Sequence, residues 1–150
     1  MDFQEIVQNK VSAMRAEQLK TMPVITLGEL IAKLEPIPQE YKWSYNNSVT
    51  PVEVRYDFPG MYPTYLDSWR GIYAELALGY GGEKKNLADL LKDCKEAVGK
   101  TFEGYKGGEF VMGKATPIWV SNYGESQSMG IVDVINEGHT VILVTMYMPH

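Results

Sequence analysis

Residues 104–117 read GYKGGEFVMGKATP, and the choice between two folds hangs on them. The stretch from Gly108 through Gly113 to Lys114 has the glycine-four-glycine-lysine spacing of a phosphate-binding loop. Ala115, however, stands where a Ser or Thr hydroxyl should hold magnesium. Such a loop leaves a strand and opens a helix, whose first amides meet the phosphate. Here Thr116-Pro117-Ile118-Trp119-Val120 follows, a β pattern. The stretch therefore reads as a glycine-bent strand pair, with residues 101–105 and 109–112 flanking Lys106-Gly107-Gly108.

The segments around it favour an α+β domain over a parallel α/β one. Thr26-Leu27-Gly28-Glu29 spells a capping box, and Leu27, Leu30, Ile31 and Leu34 share one helical face. Pro36 and Pro38 stop that helix, and residues 39–51 read as a loop. Val52, Val54, Tyr56 and Phe58 alternate with charged residues, giving a strand with one buried face. A second strand is expected over 69–78. Residues 79–86 then lead into a helix with Asn86 as N-cap, an apolar stripe of Leu87, Leu90, Leu91, Cys94 and Val98, and Gly99 as its stop. Strands follow over 116–123, 129–135 and 140–148, the last two joined by a turn at 136–139. Val141, Ile142, Leu143 and Val144 are apolar on both faces, which predicts a central or doubly covered strand. The expectation is a single antiparallel or mixed sheet of five to six strands with helices on one side. All 150 residues form one domain, residues 1–22 being an N-terminal helical arm and 23–150 the body.

Composition narrows the function classes. The chain is 45% hydrophobic and 22% charged, as globular domains are. Nineteen acids against fourteen bases leave a net charge of −5 with no basic tract, which argues against nucleic-acid backbones as partners. One cysteine, no leader and no apolar run of membrane length imply a cytoplasmic protein without membrane attachment. His139 lies in the expected turn and His150 ends the chain, so neither these nor Cys94 suggests a metal site, and no cofactor is implied. Asp57, Asp67, Glu75 and Glu109 are the carboxylates available to acid–base chemistry.

Two segments share an unusual make-up. Trp69-Arg70-Gly71-Ile72-Tyr73 and Tyr105-Lys106-Gly107-Gly108-Glu109-Phe110 each combine aromatics, a cation and glycine. Should they pair, Arg70 and Lys106 would offer charge to a phosphate or carboxylate. Trp69, Tyr73 and Tyr105 would offer ring faces, and Glu109 a polar edge. The competing reading is two twisted strands whose glycines are bulges and whose rings cover the sheet. A second candidate cradle, residues 79–86 with Lys84 and Lys85, also suits a plain βα connection.

The ordered segments TLGELIAKL (26–34), DSWRGIY (67–73), LADLL (87–91), FEGYKGGEF (102–110) and TPIWV (116–120) resemble a family of small bacteriophage proteins of unassigned function. The resemblance implies no catalytic residues. It implies a setting in which small proteins sequester nucleotide signals as homo-oligomers without turning them over. A non-enzymatic binder of a small anionic, nucleotide-like ligand is thus the leading expectation. The alternatives are an inhibitor or adaptor that meets a host protein through the arm and Tyr41, Trp43, Tyr45, Tyr62 and Tyr65, and a small hydrolase using Glu75 or Asp67.

Overall fold

The computed structural model describes residues 24–42, 48–121 and 128–148. The expected arm, together with Trp43 and Tyr45 of the Tyr-rich loop, lies outside the described residues. Helix α1 (Leu27–Leu34) and helix α2 (Leu87–Ala97) accompany eleven strands. These are β1 (Glu40–Lys42), β2 (Val49–Pro51), β3 (Glu53–Tyr56), β4 (Tyr62–Ser68), β5 (Leu76–Gly81), β6 (Lys85–Asn86), β7 (Thr101–Glu103), β8 (Glu109–Val111), β9 (Ile118–Val120), β10 (Met129–Asn136) and β11 (Thr140–Tyr147). Seven strands make one mixed sheet in the order β4-β5-β9-β10-β11-β3-β6, while β1–β2 and β7–β8 form separate ribbons. The fold is α+β, with a larger sheet than the sequence suggested and two helices among the described residues.

Local signals produced the elements they announced. The capping box forms: Glu29 N–H donates to Thr26 Oγ1 at 3.2 Å and Thr26 N–H to Glu29 Oε1 at 3.1 Å. The strand pair read from residues 104–117 is the β7–β8 ribbon, with Gly107 and Gly108 at positive φ in its turn. The hairpin turn at 136–139 joins β10 to β11, and Gly138 N–H donates to Asn136 Oδ1 at 2.8 Å. Residues 141–144 are buried on both faces. Val141 and Leu143 join the main core with both helices, whereas Ile142 and Val144 join a smaller cluster with Val132.

Three expectations are corrected. The strand drawn over 69–78 is a hairpin, in which β4 pairs with β5 and residues 69–75 form the connection. Trp69 N–H donates to the Glu75 carbonyl at 2.7 Å, Glu75 N–H to the Ile72 carbonyl at 2.9 Å, and Ser68 Oγ to the Tyr73 carbonyl at 2.6 Å. Pro63 lies within β4, the last strand of the sheet in hydrogen-bonding order, where a missing donor is tolerated. The loop over 39–51 contains the β1–β2 ribbon. Asn86 occupies the N-cap of α2 without a side-chain capping bond, and the next amide, Leu87 N–H, donates instead to the Val52 carbonyl at 2.8 Å.

The sheet is completed by a splice between β9 and β10. These strands pair at Trp119 and Gly130, and the backbone of Ile25 then enters between them. Ile25 N–H donates to the Ile131 carbonyl at 2.8 Å, and Ile118 N–H donates to the Ile25 carbonyl at 3.1 Å. Leu27 N–H and Gly28 N–H continue onto the Thr116 and Lys114 carbonyls at 2.8 and 2.9 Å. Two glycines admit this approach. A Cβ on Gly28 would lie 2.9 Å from Lys114 Cβ, and one on Gly130 would overlap the Val24 side chain. Alanine normally improves on glycine inside a helix by about 1 kcal/mol. Here we expect Gly28→Ala to bring no such gain and a net loss on the order of 1–3 kcal/mol, the usual cost of overpacking. Gly130→Ala should lose a similar amount, with partial rescue by Val24→Ala, as read from urea midpoints of the four variants.

Burial also sets an alkaline limit. Cys94 is buried on α2, and removal from water pushes its thiol from 9.0 up to about 12; Asp93 adds to the rise and Lys85 opposes it. Buried Tyr56, whose hydroxyl donates to the Leu78 and Gly79 carbonyls, is raised as well, again chiefly by desolvation. Below pH 9 the thiol keeps its proton whether the chain is folded or not, and stability is unaffected. Between pH 9 and about 12 only the unfolded chain's thiol ionises, so stability falls as pH rises, by about 1.4 kcal/mol per unit; Tyr56 adds to the fall only above pH 10, its ordinary value. Denaturation at pH 7 to 11 should show this fall, with a shallower slope in Cys94→Ala.

Candidate functional site

The hairpin connection and the ribbon turn meet. The Arg70 guanidinium carbon lies 3.4 Å above the centroid of the Tyr105 ring. Tyr73 packs edge-on to Phe110, with centroids 6.2 Å apart. A Cβ on Gly104 would stand 2.9 Å from Phe110 Cε2 and 3.1 Å from Tyr73 Cδ2, so the ribbon backbone lies against both rings. The structure thereby brings Arg70, Tyr73, Tyr105 and Phe110 into one cluster. Lys106 is exposed on the same turn as Tyr105.

Trp69 does not belong to that surface, and its proposed role as a stacking ring is corrected. It is fully buried, its ring lies 4.1 Å from that of Trp119 at 13°, and the Gly71 backbone covers it closely enough that a Cβ would fall 2.5 Å from Cζ2. The glycine after Arg70 makes room for this tryptophan. Trp119 was not among the sequence candidates, yet it holds the loop. Its Nε1–H donates to Glu75 Oε1 at 2.7 Å. The connection is therefore fastened by stacked indoles at one end and a charge-assisted hydrogen bond at the other. Arg70, between them, is turned outward onto Tyr105.

The charges sort into engaged and available groups. Asp57 accepts from Thr145 Oγ1 at 2.6 Å and Thr145 N–H at 3.1 Å, and Asp67 accepts from Ser68 N–H at 2.8 Å. Lys84 pairs with Glu53 and Lys85 with Asp93, so the lysines of the 79–86 cradle are used inside the fold. The first four N–H groups of α1 are likewise satisfied, by Glu29, Thr116, Lys114 and Thr26. Arg70, by contrast, makes no ion pair among the described residues, and neither does Lys106. Glu109 is exposed on β8 and faces Glu103 across the ribbon. The Gly104–Gly108 backbone bond makes 103/109 a non-hydrogen-bonded pair, the kind with the closer side chains. Two carboxylates therefore border the cationic end of the ribbon.

Among the described residues, no group of three or more His, Cys, Asp or Glu converges as metal ligands would, and no helix is long and apolar enough to cross a membrane. Compared with protein-family models, curated proteins and solved structures, the chain matches none.

The clasp makes Glu75 a stability residue. Glu75→Ala should cost toward the lower end of the about 1.5–3 kcal/mol of a hydrogen bond to a charged group. Glu75→Gln should recover part of it. Urea unfolding followed by tryptophan fluorescence reads both.

Proposed function

We propose that the protein is a non-enzymatic binder of a small anionic, nucleotide-like ligand held at Arg70. The observation that carries this reading is the guanidinium laid on Tyr105 at 3.4 Å without a carboxylate partner among the described residues. Stacking fixes the plane of the fork before any ligand arrives, so less side-chain freedom is lost on binding. The N–H edge suits a phosphate or carboxylate bidentately, and Lys106 adds a point charge from the same turn. Tyr105, 62% exposed, keeps ring surface for a planar group. The Glu103–Glu109 pair opposes a polyanion and favours a ligand with one anionic group and a donor-bearing ring. Following the segment resemblance to small bacteriophage proteins, the role is sequestration of a host nucleotide signal by a homo-oligomer in the cytoplasm. Asp57, Asp67 and Glu75 each accept a hydrogen bond within the fold, which weighs against using them as general bases.

Titration calorimetry with nucleoside monophosphates and cyclic dinucleotides tests this reading. Arg70→Ala should weaken binding by about 10- to 150-fold, the range of one charge-assisted bond, with thermal unfolding nearly unchanged and the bound ligand recovered intact. Undiminished binding by Arg70→Ala would overturn it.

A second reading, a protein-binding surface, is favoured by Ile72, which is 48% exposed on the same loop. Arginine, tyrosine and an exposed aliphatic group together resemble an interface anchor. Ile72→Ser separates the two, since it should abolish partner capture and spare nucleotide binding.

A further inference from the structure

On the α2 side of the β7–β8 ribbon lies a half-open pocket of about 120 Å³, walled by Tyr65 of β4, by Asp93, Glu96 and Ala97 of α2, and by Lys100 and Phe102. The geometry points to this pocket as a binding site for an alkylammonium or guanidinium head, separate from the anion site at Arg70. Size excludes a nucleotide: drug-sized ligands occupy roughly 300–1,000 Å³. At about 30 Å³ per water, this space holds some four small groups. Three features of the wall favour positive charge. Ala97 is the last residue of an 11-residue helix, whose C-terminal carbonyls carry partial negative charge. The Glu96 carboxylate makes no ion pair among the described residues, whereas that of Asp93 is held by Lys85 at 2.7 Å. Phe102 and Tyr65 supply aromatic surface, and a cation within about 6 Å of a ring centroid is attracted to its face. The chain already uses that attraction, since the Lys100 ammonium stands 5.2 Å from the Phe102 centroid. Lys100 is thus an internal competitor for the ring face, which an incoming cation has to displace.

Proton–nitrogen NMR titration of the full chain with n-butylammonium tests the assignment, with n-butanol as its neutral counterpart. Shifts should centre on Tyr65, Lys100 and Phe102, saturate with the amine, and be missing with the alcohol. Glu96→Gln should weaken binding and Lys100→Met strengthen it, each by about two- to fivefold, the range of an exposed ion pair. Both positions are exposed, so folding should survive and is checked in the same spectra. Spermidine and a lysine-bearing tripeptide amide separate the two sources of such a head. Tighter binding of the first identifies a free polyamine, and of the second a protein-borne lysine. Equal shifts with butanol, unchanged affinity in Lys100→Met, or binding of neither larger probe would overturn the proposal.

Discussion

The sheet holds together as one object because the Ile25 backbone occupies the gap where β9 and β10 part. Its amide and carbonyl serve opposite sides of that gap, reaching Ile131 and Ile118. Buried backbone groups left without partners are costly, and without this splice two interior ladders would end in the core. The splice also determines where α1 begins. Thr26 leaves the sheet with its side chain already positioned as N-cap, and Leu27 and Gly28 give their amides to the connection between β8 and β9. Sheet closure and helix initiation are consequently one event. Gly28 and Gly130 are fixed by the closeness of neighbouring atoms; neither is among the glycines at positive φ.

Much of this was legible in the sequence wherever the deciding partners lie a few residues apart. The capping box and the β10–β11 turn span four residues each, and the α2 stripe repeats within one helix. Pairings across long separations were not legible. Trp69 looked like an exposed ring because its partner, Trp119, lies fifty residues away, and one-dimensional alternation cannot separate a hairpin connection from a strand. The apolar alternation of Ile72, Ala74, Leu76 and Leu78 ran straight through the loop. Only the bonds closing residues 69–75 break it.

The candidate site follows the same division. Its composition could be read from two aromatic-cation-glycine segments. Their meeting could not, because it depends on β4 and β5 folding back as a hairpin and on the ribbon packing beside β4. At Gly71 and Gly104 the space is taken by the protein's own rings. What remains for a ligand is the residue between, whose neighbours are buried or clasped while its own side chain is laid over an exposed tyrosine.

The ribbon gives that arrangement a broader logic. Its turn carries Tyr105 and Lys106 under Arg70, while its first strand sends Phe102 toward the C-terminal end of α2. Both signs meet at each place, Glu103 and Glu109 beside Lys106 at the turn and Lys100 beside Glu96 near α2, in a chain whose net charge is only −5. Charges separated by more than a Debye length of about 8 Å are largely screened at physiological salt. The balance of charge at each place is therefore local, whatever the net charge of the chain. A small domain can discriminate by charge at such a place when a guanidinium fork is held before a ligand arrives. Stacking of Arg70 on Tyr105 supplies that preorganisation, and it depends on a two-stranded ribbon of three paired registers.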